Sequence, residues 1–91
     1  MNFTKLDIAL ILALKQIKDP SEPYLVIFIH TESVLDSTAT ALLESFGVNG
    51  ITVGRDVYTA TLSPNAISVL SEQPWVQYLK LSQELRLVSG G

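Results

Sequence analysis

The chain contains no cysteine, and this absence excludes disulfide bonds, thiol catalysis and thiolate metal sites. Charged residues are also few, at 16% of the 91 residues, where an average soluble domain has about 25%. The six basic residues are scattered along a chain of net charge −3, so the basic stripe of a nucleic-acid-binding protein is missing. So few charges favour a protein whose apolar surface is partly covered by a partner protein.

Groups for acid–base or metal chemistry are scarce as well. The single histidine, His30, is predicted at the end of a strand with no acid fixed beside it, a position more often structural than catalytic. No serine lies in a Gly-x-Ser-x-Gly turn, and the carboxylates are spread through different predicted elements without metal-ligand spacing. We therefore expect a protein that is not an enzyme and that holds no cofactor or metal.

The apolar run near the N-terminus, residues 8–14, is much shorter than the roughly 20 residues that span a bilayer. Asp7 stands directly before this run, and Lys15 follows it in place of a small-residue cleavage site, so a signal peptide is not favoured. We expect a soluble cytoplasmic protein without membrane contact. Export stays open, because small exported domains can also lack cysteine.

The residues that are present predict one small globular domain, since 47% of them are hydrophobic. Residues 1–19 hold an amphipathic helix, predicted at about 5–18, with Thr4 and Asp7 near its start. Residues 24–30 form an unbroken β-branched and aromatic run. Such a run predicts a central strand that is buried on both faces.

The rest of the chain predicts a regular alternation of elements. A helix at 33–46 is followed by two strands, 50–53 and 57–62, joined by the hairpin turn Gly54-Arg-Asp56. Ser63 and Pro64 begin another helix, which ends before Pro74. The last strand covers 75–81, and residues 84–88 extend it.

This order of elements, β-α-β-β-α-β after the first helix, predicts an α+β domain of the ferredoxin-like plait type. Its four-stranded antiparallel sheet has both crossing helices on one face. The opposite face stays open. Because the central strand is apolar on both sides, we expect that second face to be covered by the N-terminal helix or by a partner.

Four motifs carry a resemblance to a known family. They are Tyr24-Leu-Val26, Thr59-Ala-Thr-Leu62, the apolar helix from Ala66 to Leu70, and Pro74-Trp-Val-Gln-Tyr-Leu79. Over residues 24–88 the chain resembles subtilisin propeptides and the related stand-alone inhibitors of the proteinase B inhibitor type. The resemblance implies a ferredoxin-like module that binds, and inhibits, a subtilisin-like serine protease.

In that family the open sheet face docks on the protease, and the residues after the last strand enter the active-site cleft as a substrate-like strand. Carried onto this chain, the resemblance implies a cleft-binding segment made of Gln83, Glu84, Leu85, Arg86, Leu87 and Val88. Leu85 would approach a distal apolar pocket, and Leu87 or Val88 would lie next to the catalytic serine. The chain departs from the family where acidic residues after the last strand are replaced by Lys80-Leu-Ser82.

Several alternatives stay open at this stage. Trp75 is either an interface anchor or a cap on the core, and Leu85, Leu87 and Val88 either bind a cleft or continue the last strand. The rival function is a non-inhibitory assembly module, monomer or homodimer, in which the N-terminal helix or a second copy covers the sheet. A small-molecule sensor of the plait type is a third hypothesis.

Overall fold

The computed structural model describes residues 1–23 and 25–85, and these form an α+β fold of three helices and a three-stranded sheet. A 3₁₀ turn at Phe3–Lys5 precedes the first helix. The elements that follow in chain order are α1 (Ile8–Gln16), β1 (Leu25–Thr31), α2 (Ser37–Ser45), β2 (Val57–Leu62), α3 (Pro64–Ser71) and β3 (Val76–Glu84). None of these helices is long and apolar enough to cross a membrane.

Each helix begins at a short polar side chain that accepts a hydrogen bond from an amide of its first turn, which has no partner within the helix. The acceptor–donor pairs are Asp7 with Leu10 N, Asp36 with Ala39 N, and Ser63 with Ala66 N. The predicted start of α3 is confirmed. Helices α1 and α2 start later than predicted, because Asp7 and Asp36 cap them from outside the helix.

The sheet is antiparallel with the order β2-β1-β3, so the predicted central position of β1 is confirmed. The four-stranded prediction is wrong, because residues 50–53 form a loop that joins no strand. Gly50 and Gly54 have φ angles of 71° and 90°, which turn the chain, and the Val53 side chain is 85% exposed. Within this segment only Ile51 packs against the core.

The backbone groups of this loop form hydrogen bonds with nearby residues and do not pair with a strand. Tyr58 Oη donates to the Thr52 carbonyl at 3.3 Å, and Arg55 Nη1 donates to the Gly50 carbonyl at 3.4 Å. Gly54 N donates to the Ser33 carbonyl at 3.0 Å. The loop is therefore tied to the start of β2 and to the chain that follows β1.

The prediction that β1 is buried on both faces is also wrong. Leu25, Ile27 and Ile29 are fully buried, whereas the alternate residues of the strand are only half-buried. The reason is the position of the helices. The buried residues of α1 and α3 and the buried leucine of α2 belong to one apolar core, and that core contains only one set of alternate β1 residues.

Helix α1 packs beside α3 and away from the second sheet face. Its Leu10 and Ala13 lie in the same core as Leu70 and Leu79. Of the two alternatives for the second sheet face, coverage by the N-terminal helix is therefore wrong, and coverage by a partner stays a prediction.

Contacts at both ends fix the direction of α1 relative to α3. Before α1, Asn2 N donates to Ser71 Oγ at 2.9 Å, and Lys5 Nζ donates to the Gln73 carbonyl at 2.6 Å. After α1, the carbonyl of Pro20 accepts from Asn65 N at 3.0 Å. The N-terminal segment thus meets the end of α3 and the linker meets its beginning, so the two helices run antiparallel.

Leu6 and Asp7 run along the outer edge of β3. Leu6 forms a parallel bridge with Leu79, and Asp7 N donates to the Leu79 carbonyl at 3.1 Å. Asp7 Oδ1 accepts from Leu81 N at 3.2 Å, and the same oxygen caps α1. One side chain therefore joins the first helix to the last strand.

Candidate interaction surface

The sheet face opposite the three helices, called the open face below, is a surface that no described element covers. It is defined by Val26, Phe28, His30, Val57, Thr59, Thr61, Tyr78, Lys80 and Gln83. Lys80 is the only lysine, arginine, aspartate or glutamate among these residues. The open face therefore has an apolar and aromatic centre with threonines on one side.

Phe28 lies at the centre of this face. It stands opposite Thr59 on β2 and Lys80 on β3. The next pair along the strand is His30 with Tyr78, whose rings meet edge-to-face with 6.0 Å between centroids. Tyr78 is 37% exposed, so an aromatic surface remains accessible beside Phe28.

Two bulges in β3 determine which of its residues face the core. Val76 and Leu79 are both buried although three positions apart, a spacing that points to opposite faces in a regular strand. The register shift between His30 and Thr31 leaves Gln77 as an extra residue, and this brings both apolar side chains to the core. The second shift makes Ser82 the extra residue. No local sequence pattern marks either bulge.

The predicted cleft-binding segment overlaps the sheet. Gln83 and Glu84 are the last residues of β3 and stand opposite Val26 and Leu25. Leu85 follows the strand and is 41% exposed. Arg86, Leu87 and Val88 lie outside the described residues.

Trp75 lies away from the open face, next to the start of α2. It lines a depression of about 390 Å³ with Glu32, Val34, Leu35, Asp36, Ala39 and Pro74. Its ring is half-buried and packs against the core, and its carbonyl accepts from Glu32 N at 3.0 Å. These contacts give Trp75 a structural role, with part of the ring left accessible.

Polar groups elsewhere form helix caps, turns and a few long-range bonds to the backbone. Within residues 1–23 and 25–85, no group of three histidine or carboxylate side chains could hold a metal ion. Hydrogen bonds from the side chain and the backbone of Ser21 lower the pKa of Asp19, which lies in the exposed linker after α1.

Comparison with known proteins gives no match, whether to a family model, to a curated protein or to a solved structure. The resemblance to subtilisin propeptides therefore stays a prediction carried by the motifs quoted above. Tyr24, the first residue of the first motif, lies outside the described residues.

Sequence reasoning missed the role of Asp7 as a link between α1 and β3. The residue was predicted only as part of a helix start, because an aspartate before an apolar run indicates a cap. Its bond to Leu81 N joins positions 74 residues apart, and no local pattern indicates such a pairing.

Proposed function

We propose that this chain is a protein-binding module that docks through its open face on a subtilisin-like serine protease and inhibits it. One observation carries the proposal: Phe28 lies half-buried at the centre of a sheet face that no described helix covers, since α1 packs on the other side. The strand order β2-β1-β3 supports a plait-like fold that lacks one edge strand.

The open face alone would bind weakly. Burying an apolar side chain fully contributes about 1.5–3 kcal/mol, so Val26, Phe28 and Tyr78 together contribute at most roughly 5–9 kcal/mol. Association itself costs about 4–15 kcal/mol in lost freedom of motion. Tight inhibition therefore needs a second contact, and the resemblance assigns this contact to the tail as an added strand in the protease cleft.

The end of β3 determines where such a tail begins. Because Glu84 is still paired with Leu25, the cleft-binding part starts at Leu85 and continues through Arg86, Leu87 and Val88. Leu85 is accessible at the point where the sheet ends. This geometry supports a rigid sheet that presents an extended tail.

The experiment titrates subtilisin-type proteases with the full chain and with a chain that ends at Glu84. The shorter chain keeps all of β3, so it should fold normally and lose inhibition. We expect the full chain to slow cleavage at micromolar concentration. No inhibition at that concentration, or equal inhibition by the shorter chain, would show that the proposed mechanism is wrong.

A pair of substitutions separates the open face from the rest of the surface. Phe28→Thr removes the central ring but keeps a residue that favours strands, and we expect inhibition to weaken by about tenfold or more. Val53→Asp changes an 85% exposed residue in the loop before β2 and should leave inhibition unchanged. Equal inhibition by both variants would exclude docking through the open face.

A further inference from the structure

Strand β2 forms a free edge of the sheet, since its only described neighbour is β1. Thr31 N donates to the carbonyl of Asp56, directly opposite in this ladder, at 2.8 Å. Hydrogen-bonded and non-hydrogen-bonded pairs alternate in an antiparallel ladder. Tyr58, Ala60 and Leu62 therefore bond to β1. The backbone groups of Val57, Thr59 and Thr61 point away from the sheet.

Only the first of these outward carbonyls is occupied. Arg55 Nε donates to the Val57 carbonyl at 3.0 Å. No described residue bonds to the outward amides and carbonyls of Thr59 and Thr61, and both residues are exposed. The strand Val57–Leu62 contains no charge, no proline and no bulge, which are the usual features that prevent edge pairing.

We propose that a second copy of this chain pairs with β2 about a twofold axis at Ala60, which produces a continuous six-stranded sheet. In this register Thr59 pairs with the partner's Thr61, and Thr61 pairs with the partner's Thr59. The amides and carbonyls of Thr59 and Thr61 on each edge, four groups in all, are then used. A twofold axis at Thr59 would instead pair Val57 with the partner's Thr61. Because Arg55 Nε already occupies the Val57 carbonyl, the register centred on Ala60 is favoured.

The side chains of the edge are complementary to themselves in the same register. Ala60 meets the partner's Ala60 at the non-hydrogen-bonded position, where strands approach most closely and a methyl group fits. Two Thr59–Thr61 pairs form on the open face, and opposed threonines stabilise neighbouring strands. No like charges face each other. This self-complementarity is why the occupant is a second copy and not an unrelated peptide.

The proposed dimer is tested by measuring the molar mass of the protein in solution over a range of protein concentrations. A single strand pair buries less than the roughly 1,200 Å² of a standard interface, so we expect a weak dimer. Sedimentation equilibrium should give a mass near 10.0 kDa at low concentration, rising towards twice that value at high concentration. A mass that stays monomeric up to millimolar concentration would overturn the proposal.

Two substitutions at one position isolate the backbone contribution. Thr61→Pro removes an outward amide that the monomer does not use, so it should abolish dimerisation and keep the circular dichroism spectrum of the fold. Thr61→Val keeps the amide and the shape of the side chain, so its dimer should match the wild type. Equal dimerisation of the two variants would overturn pairing through this edge.

Cysteine cross-linking checks the register, and the chain has no other cysteine to interfere. Thr59→Cys mixed with Thr61→Cys should form a disulfide, because Cα atoms of a hydrogen-bonded pair lie about 5.5 Å apart. Thr59→Cys alone should not, because the two copies of that residue are diagonal neighbours about 7–8 Å apart. Cross-linking of Thr59→Cys alone would overturn the register at Ala60. The dimer does not depend on the protease-binding proposal, so each can fail separately.

Discussion

Replacing Asp7 by alanine removes two hydrogen bonds at once. Asp7 Oδ1 accepts from Leu10 N at 3.0 Å and from Leu81 N at 3.2 Å. Loss of a helix N-cap costs about 1 kcal/mol. An amide left without its acceptor costs about 1–3 kcal/mol when buried. Since Leu81 is only half-buried, we take the lower value and expect a total of about 2 kcal/mol.

Asp36 provides a matched control in the same fold. Its Oδ1 caps α2 through Ala39 N at 2.8 Å, and its side chain forms no hydrogen bond with a strand of the described structure. Asp36→Ala should therefore cost about 1 kcal/mol, the value of a cap alone. The difference of about 1 kcal/mol between the two variants measures the link from α1 to β3. Asp7→Asn keeps the accepting oxygen and should stay close to the wild type.

Urea unfolding measures these differences, because a loss of about 2 kcal/mol is large against the roughly 5–15 kcal/mol stability of a small domain. Amide hydrogen exchange gives a second, local measurement. Exchange at Leu81 should accelerate in Asp7→Ala beyond the change expected from global stability, and it should follow global stability in Asp36→Ala. Equal free energies of unfolding for the two alanine variants, or unchanged relative exchange at Leu81, would refute the link.

Two further pairs of substitutions test the core and the loop before β2. Leu10→Ala empties a fully buried site shared by α1 and the sheet, so thermal and urea unfolding should show a loss of about 2–5 kcal/mol. Ile8→Ala, at a 76% exposed position of the same helix, should have a free energy of unfolding within about 0.5 kcal/mol of the wild type. Equal losses of stability in Leu10→Ala and Ile8→Ala would show that α1 does not pack on the core through Leu10. Gly54→Ala puts a side chain at φ 90°, which should cost about 1–2 kcal/mol in urea unfolding although no atom lies within 4 Å of the new methyl group. Val53→Ala, at the neighbouring position, should leave the free energy of unfolding unchanged. An unchanged free energy of unfolding in Gly54→Ala would contradict the positive φ angle of this residue.

The start of α3 and the central position of β1 were the parts of the fold that sequence could predict, because their causes are local. Ser63 followed by Pro64 predicted the start of α3, and the structure has Ser63 as its cap. The apolar run before His30 predicted a central strand, and β1 is paired on both sides. A short polar cap and a run of β-branched residues act within a few positions of the chain.

The side of the sheet on which α1 packs depends on contacts that no local pattern encodes. Its broad apolar surface fits either sheet face, and the choice is made by Leu6 and Asp7 along β3 and by Asn2 at the end of α3. The false strand at residues 50–53 has a related cause. Ile51 and Val53 have high strand propensity, but the bonds from Tyr58 and Arg55 hold the backbone in a loop.

The open face and the stability of the domain can be changed independently because they use alternate residues of one strand. Ile27 points into the core and is fully buried, whereas Phe28 points to the open face and is only half-buried. A substitution at Ile27 therefore acts first on folding, and one at Phe28 acts first on docking. The six apolar residues before His30 conceal this division in the sequence, since Val, Ile and Phe suit both faces equally well. Phe28 is apolar although water reaches it, and this partial exposure is consistent with the proposed partner on the open face.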